Sequence, residues 1–265
     1  MRYLSKFLVF YFVIILFSCN SNSSGDDGAI TSLSAQSSTS KSNFVAGKDY
    51  IEFERQRVID KVGFAQPVEV SSFLIPKGWK LDGTVSWVFP GQPCEGTGQN
   101  VVITSPDNQF QMKIFPTFAW VWSDNQFLNQ NNQQMYGSGG NCIASPPINA
   151  ETFLRNVLVP QLPNQAKIVK VDNNNLVSDE LRSTTEANSR ELNSYGGGQT
   201  KNYYSALTAQ IQFNDGYSAI VMIGMVNSEM SIYNKYDGSY SMQYGGILHK
   251  YISFKYPNGE DEKAK

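Results

Sequence analysis

The strongest constraint on this chain's fold lies in residues 99–115. QNVVITS and QFQMKIF flank Pro106-Asp107-Asn108. The flanks carry β-branched and aromatic residues, which suit a pleated, half-buried surface. Proline presets the first turn dihedral, and the Asx side chains bond back to their own backbone, so the centre is a turn. The segment therefore reads as a β-hairpin. A lone hairpin is marginal in water, so further strands or a helix must cover it.

Those partners can be read along the chain. Residues 49–59 alternate Ile51 and Phe53 with Glu52 and Glu54, a strand pattern that also admits a short helix. PVEVSSFLI, Pro67 to Ile75, is a strand stopped by Pro76, and Trp79 to Phe89 is a strand broken near Asp82-Gly83. Thr117 to Trp122 runs extended, and residues 124–141, rich in Asn, Gln and Gly, form a long surface excursion. Asn149 caps a helix that carries Phe153, Leu154, Val157 and Leu158 and ends at Pro160. Ala166 to Val171 is a short strand. Residues 176–194 are a polar helix ended by Gly196-Gly197-Gly198.

A second hairpin joins Tyr203–Phe213 to Tyr217–Val226 through Asn214-Asp215-Gly216. Asp237-Gly238 marks a third turn, and Ile247 to Phe254 reads as a final helix. Hairpins with interspersed helices predict an α+β fold, an antiparallel sheet flanked by helices, in one domain over 45–258. Residues 259–265 form a loose charged tail. Aromatics at 13% and hydrophobic residues at 41% supply the core.

The N-terminus sets the compartment. MRYLSK carries two basic side chains, and residues 7–17, FLVFYFVIILF, form an apolar run of eleven. That is a signal-peptide core, shorter than the ~20 residues of a membrane span. Leu16-Phe17-Ser18-Cys19 resembles the lipobox of bacterial lipoproteins, although Phe17 is bulkier than usual. Residues 1–18 are thus expected to be a cleaved signal and Cys19 the lipidated N-terminus. Residues 19–44, dominated by Ser, Asn and Gly, form a flexible tether. The expected location is the bacterial cell envelope, on the outer membrane, with the folded domain outside the cytoplasm.

Removing Arg2 and Lys6 with the signal leaves 19 basic and 23 acidic side chains, formally −4. This balance excludes nucleic acid as a partner, which demands a basic stripe. A polybasic grip on anionic lipid is excluded on the same ground. Beyond Cys19 there remain Cys94 and Cys142, an even pair suited to a disulfide in an oxidising compartment. Such a bridge pins the 124–141 excursion.

Few residues point to catalysis. His249 is the only histidine and reads as a partly buried structural residue; no G-x-S-x-G elbow accompanies it. Zinc ligands at the usual spacing are missing from the sequence, and Gly196-Gly197-Gly198 lacks the Lys-Ser/Thr of a phosphate loop. Neither a metal nor a cofactor is expected. Asp82, Glu95 and Asp107 lie near aromatic stretches, but Asp82 and Asp107 read as turn residues. Trp79, Trp87, Trp120 and Trp122 fall within 44 residues among Asn, Gln and Tyr, a mixture suited either to core packing or to stacking sugar rings. Trp120 and Trp122 share a strand face and are expected to be buried or exposed together.

LIPKGWKLDGTVSW, VVITSPDNQFQMKIFP and FAWVW, within residues 74–122, resemble the PsbP-like superfamily. The closing ILHKYISFKYP adds a fainter likeness to its last helix and strand. The likeness covers about a quarter of the chain; the 124–148 loop, the two cysteines and the polar 176–194 segment depart from it. It implies an α/β/α sandwich and a binding or scaffolding role. The expected function is accordingly a membrane-anchored lipoprotein with a non-catalytic binding or accessory domain that contacts another envelope protein. The alternative is a glycan-binding lipoprotein of a polysaccharide-uptake system, and the third reading an unrecognised hydrolase.

Overall fold

A computed structural model describes residues 50–261, apart from 64–65, 89–95, 137–140, 164, 195–198, 234–237 and 239. The predicted hairpin is β4 (Gly96–Thr104) and β5 (Gln111–Ile114). Its turn is held by Ser105, whose N–H donates to the Phe110 carbonyl at 3.0 Å and whose Oγ accepts from Phe110 N at 3.0 Å. Asp107 completes it by accepting from Ser105 Oγ at 2.5 Å and from Gln109 N at 3.1 Å.

The main sheet runs β3-β4-β5-β11-β10-β9-β8. Here β3 is Lys80–Val88, β8 Lys167–Asn173, β9 Gln199–Gln212, β10 Tyr217–Tyr233 and β11 Tyr240–Pro257. Every pair along this path is antiparallel. β6 (Phe118–Ser123) follows β5 along the same edge of β11, and β7 (Cys142–Ala144) adds to β6 in parallel. β1 (Phe53–Asp60) and β2 (Val68–Pro76) form a separate antiparallel ribbon.

Strand alternation divides the core between two faces. Leu207, Ala209 and Ile211 of β9 and Phe213 just after it, with Val221, Ile223 and Met225 of β10, pack against Phe153, Leu154 and Leu158. Those three belong to α2, which starts as Ala150–Thr152, passes through a π-helical stretch, Phe153–Leu158, and closes as Val159–Gln161. Leu154 is fully buried, a placement worth about 2–3 kcal/mol over exposure. Tyr204, Ala206, Met222 and Val226 point the other way, onto Val177 and Leu181 of α3 (Asn175–Ser194). Met222 pairs with Ile252, Ile252 with Ile114, and Phe254 with Met112, which carries this second face across to β5. There the ribbon covers it, with Val58 and Ile75 on Val101 and Ile103. The described residues thus form a single sheet-rich α+β domain with helices on both faces.

Several expectations are corrected. Ile247 to Phe254 is strand, not helix: β11 has β10 on one side and β5 and β6 on the other, so paired backbone decides its state. Its register slips between Leu248 and Lys250, leaving His249 as the extra residue of a bulge. His249 keeps much of its surface exposed. Desolvation of its partly covered ring and then Lys250 lower its pKa.

β3 continues unbroken through Asp82-Gly83, because Val58 of β1 crosses over Gly83; a Cβ there would stand 3.1 Å from Val58 Cγ1. The 124–141 excursion contains a helix, α1 (Gln126–Tyr136), started by Asn125 Oδ1 accepting from Phe127 N and Leu128 N. α2 ends at Gln161, one residue past Pro160, since the missing proline N–H falls in the first turn of its last segment. The start of the charged tail is tied down: Asp261 Oδ1 accepts from Gln210 Nε2 at 2.7 Å and from the Tyr256 hydroxyl at 3.0 Å. Gly196-Gly197-Gly198 and Asp237 lie outside the described residues.

Candidate functional site

The predicted site residues separate in space. Trp79 is half-buried and stacks on Phe110, ring centroids 6.4 Å apart. Trp87 directs its indole N–H to Asp60 Oδ2. Val62 N also donates to Asp60, and these two donors, backbone first, hold the carboxyl below its usual range. Both tryptophans thus serve the ribbon-covered end of the sheet.

Trp120 and Trp122 share a face yet differ in burial, contrary to expectation. Trp120 is 2% exposed, packed edge-on against Phe118 at 4.9 Å and Phe153 at 6.0 Å. Trp122, one step further along the strand, is only partly covered and lines an open cleft. Trp120 is enclosed by Phe118 and by Phe153 of α2, and the chain between β7 and α2 crosses β11 at Gly246, bringing Pro147 close to it. Gly246 permits that crossing: a Cβ on it would lie 2.7 Å from Asn227 Oδ1 and 2.9 Å from Pro147 Cβ. Asn227 Nδ2 then donates to the Ile148 carbonyl at 3.0 Å, which fixes the wall.

Cross-strand register builds the cleft floor. Trp122 pairs with Tyr244, Tyr244 with Glu229, and Glu229 with Lys201, one row across β6, β11, β10 and β9. The neighbouring row is Trp120, Gly246, Asn227 and Tyr203. Directly paired residues share a face, so Trp122, Tyr244, Glu229 and Tyr203 converge. The Tyr203 hydroxyl donates to Glu229 Oε2 at 2.7 Å. Lys201 Nζ lies 4.7 Å from the Tyr203 ring centre, and Tyr203 and then Glu229 raise its pKa. Asp124 closes the far end, its Oδ1 accepting from Met242 N at 2.9 Å. The cleft holds about 550 Å³, with Pro146 and Pro147 as one wall.

Chemically, this is a shallow aromatic surface with two carboxylates and one amide. Tyr203, Tyr244, Glu229, Asp124 and Asn227 were not singled out in the sequence. The signal was present in part: the Asn214-Asp215-Gly216 turn fixes the register that sets Glu229 opposite Lys201 and Asn227 opposite Tyr203. Tyr244 is set opposite Glu229 by the next hairpin, β10–β11, whereas the contribution of β6 is set by a pairing with β11 more than a hundred residues away.

Of the acids near aromatics, Asp107 is a turn residue held below the usual carboxylate range, by Ser105 and then the Gln109 N–H. Asp82 projects to solvent from β3 rather than sitting in a turn, and Glu95 lies outside the described residues. Cys142 is 7% exposed and disulfide-bonded. Cys94 and Cys19 lie outside the described residues. Among the described residues no group of three His, Cys, Asp or Glu is placed to hold a metal ion. No helix there is long and apolar enough to cross a membrane.

No protein-family model matches the chain, and no similar curated protein or solved structure was found.

Proposed function

We propose that this protein is a lipoprotein of the bacterial envelope, lipidated on Cys19 and stapled by a Cys94–Cys142 disulfide. Its domain, of PsbP-like α/β/α type, is non-catalytic and binds a glycan in the Trp122 cleft. The observation that carries the reading is the row of Trp122, Tyr244 and Glu229, with Tyr203 beside it. Flat aromatic faces stack on sugar rings, while carboxylate and amide groups bond hydroxyls. An open cleft suits part of a longer chain better than an enclosed small molecule. Both carboxylates are held as acceptors by structural hydrogen bonds, which supports binding over general acid–base chemistry.

The test uses full-length protein purified in detergent, screened on a glycan array beside Trp122→Ala. Specific glycan binding that the substitution abolishes supports the reading; unchanged binding, or none, counts against it. Lipidation is checked separately by metabolic labelling with an alkynyl fatty acid, which Cys19→Ala should eliminate.

A protein partner in the envelope is the second reading. It is favoured by the outer face of the β1–β2 ribbon, where Ile51, Phe53 and Leu74 are 65%, 58% and 72% exposed. Capture of one dominant envelope protein, lost on Phe53→Ser with Leu74→Ser, would support it.

A further inference from the structure

We infer that the cleft selects a ligand bearing a protonated amine, an amino sugar rather than a neutral one; this rests on the glycan reading above. Two carboxylates, Glu229 and Asp124, line the cleft; Tyr203 spends its hydroxyl proton on Glu229, and the neutral donors at the cleft are the Trp122 indole N–H and the Tyr244 hydroxyl. Glu229 receives the Tyr203 proton and Asp124 receives Met242 N, and each carboxylate has remaining lone pairs that no described residue fills. Asn227 spends its Nδ2 on the Ile148 carbonyl, and its Oδ1 is buried without a partner among the described residues. The charged groups lining the cleft are thus both carboxylates, set beside π faces, and its donors are neutral. A cation satisfies both, because the face of an aromatic ring attracts positive charge and a carboxylate pairs with it.

The protein itself displays this preference. Lys201, cross-strand from Glu229, lays its ammonium over the Tyr203 ring at 4.7 Å. It ends the floor row and does not line the cleft. Two carboxylates against one lysine leave the site net negative. Lys201 therefore makes the reading testable by sign: removing it strengthens a cationic ligand and weakens an anionic one.

The experiment measures binding to full-length protein in neutral detergent by titration calorimetry. The ligands are glucosamine oligomers, N-acetylglucosamine oligomers of equal length, and choline. Glucosamine oligomers are expected to bind about tenfold more tightly than the acetylated ones, with the margin shrinking as salt rises. Lys201→Met should tighten glucosamine binding several-fold, and Glu229→Gln should erase the preference, with melting curves showing both variants folded. Equal or tighter binding of the acetylated oligomers, or weaker amine binding by Lys201→Met, overturns the inference. If Trp122→Ala still lowers binding of both sugars, the glycan reading survives that failure. Choline binding without sugar binding keeps the ammonium and removes the sugar. No binding of any ligand overturns both.

Discussion

Tyr203 donates its hydroxyl to Glu229 Oε2 across the β9–β10 pair at 2.7 Å, and this bond fixes the carboxylate beside the aromatic floor. Tyr203 is 39% exposed, so the bond contributes to positioning more than to stability. Tyr203→Phe keeps the ring and deletes the donor. Ligand affinity should fall about fivefold, the equivalent of ~1 kcal/mol, while unfolding free energy changes by less than ~0.5 kcal/mol. Calorimetry beside urea denaturation checks both; a stability loss as large as the binding loss would contradict the assignment.

The two tryptophans of β6 should respond oppositely. Trp120→Ala empties a site packed by Phe118 and Phe153 and should cost ~3–5 kcal/mol. Trp122→Ala should cost no more than ~1–2 kcal/mol, its ring being only partly covered, yet remove binding. Denaturant titration of each variant, paired with ligand titration, separates a core residue from a site residue.

Gly246→Ala is expected to displace the cleft wall. Its Cβ would press on Asn227 Oδ1 and Pro147, so destabilisation of ~1–3 kcal/mol should accompany altered ligand affinity. Gly245→Ala next to it has nothing within 4 Å of the new Cβ and serves as the control, with little clash cost. Similar thermal shifts for the two would show that the crossing does not depend on the close approach.

Acid should destabilise the domain through Asp60 and Asp107. Both carboxyls sit below their usual range, Asp60 through the Val62 N–H and the Trp87 indole, Asp107 through Ser105 and the Gln109 N–H. A carboxyl whose folded pKa is depressed contributes stability above its unfolded value near ~3.9, and that contribution is lost as pH falls through the folded pKa. Urea midpoints should therefore drop from about pH 6 to about pH 3. Trp87→Phe should lessen this drop by removing one donor to Asp60. An unchanged pH dependence would show that the indole bond does not favour the ionised form.

The sequence alone determined the local structures whose cause is local. The Pro106-Asp107-Asn108 and Asn214-Asp215-Gly216 turns and the Asn149 cap are each specified by side chains bonding to backbone within a few residues. Those contacts form whatever the rest of the chain does. Tertiary structure decided the rest. ILHKYISF reads as a helix in the sequence, yet it is part of strand β11 because neighbours on both sides take up its backbone hydrogen bonds. Trp120 and Trp122 share a face, yet Phe118, Phe153 and the chain crossing at Gly246 enclose the first, while the second lines the open cleft. β9, β10 and β11 come into register through consecutive hairpins, one of them marked by Asn214-Asp215-Gly216; the cleft is completed when β6 pairs with β11 from more than a hundred residues away, and pairing at such separation has no local signature.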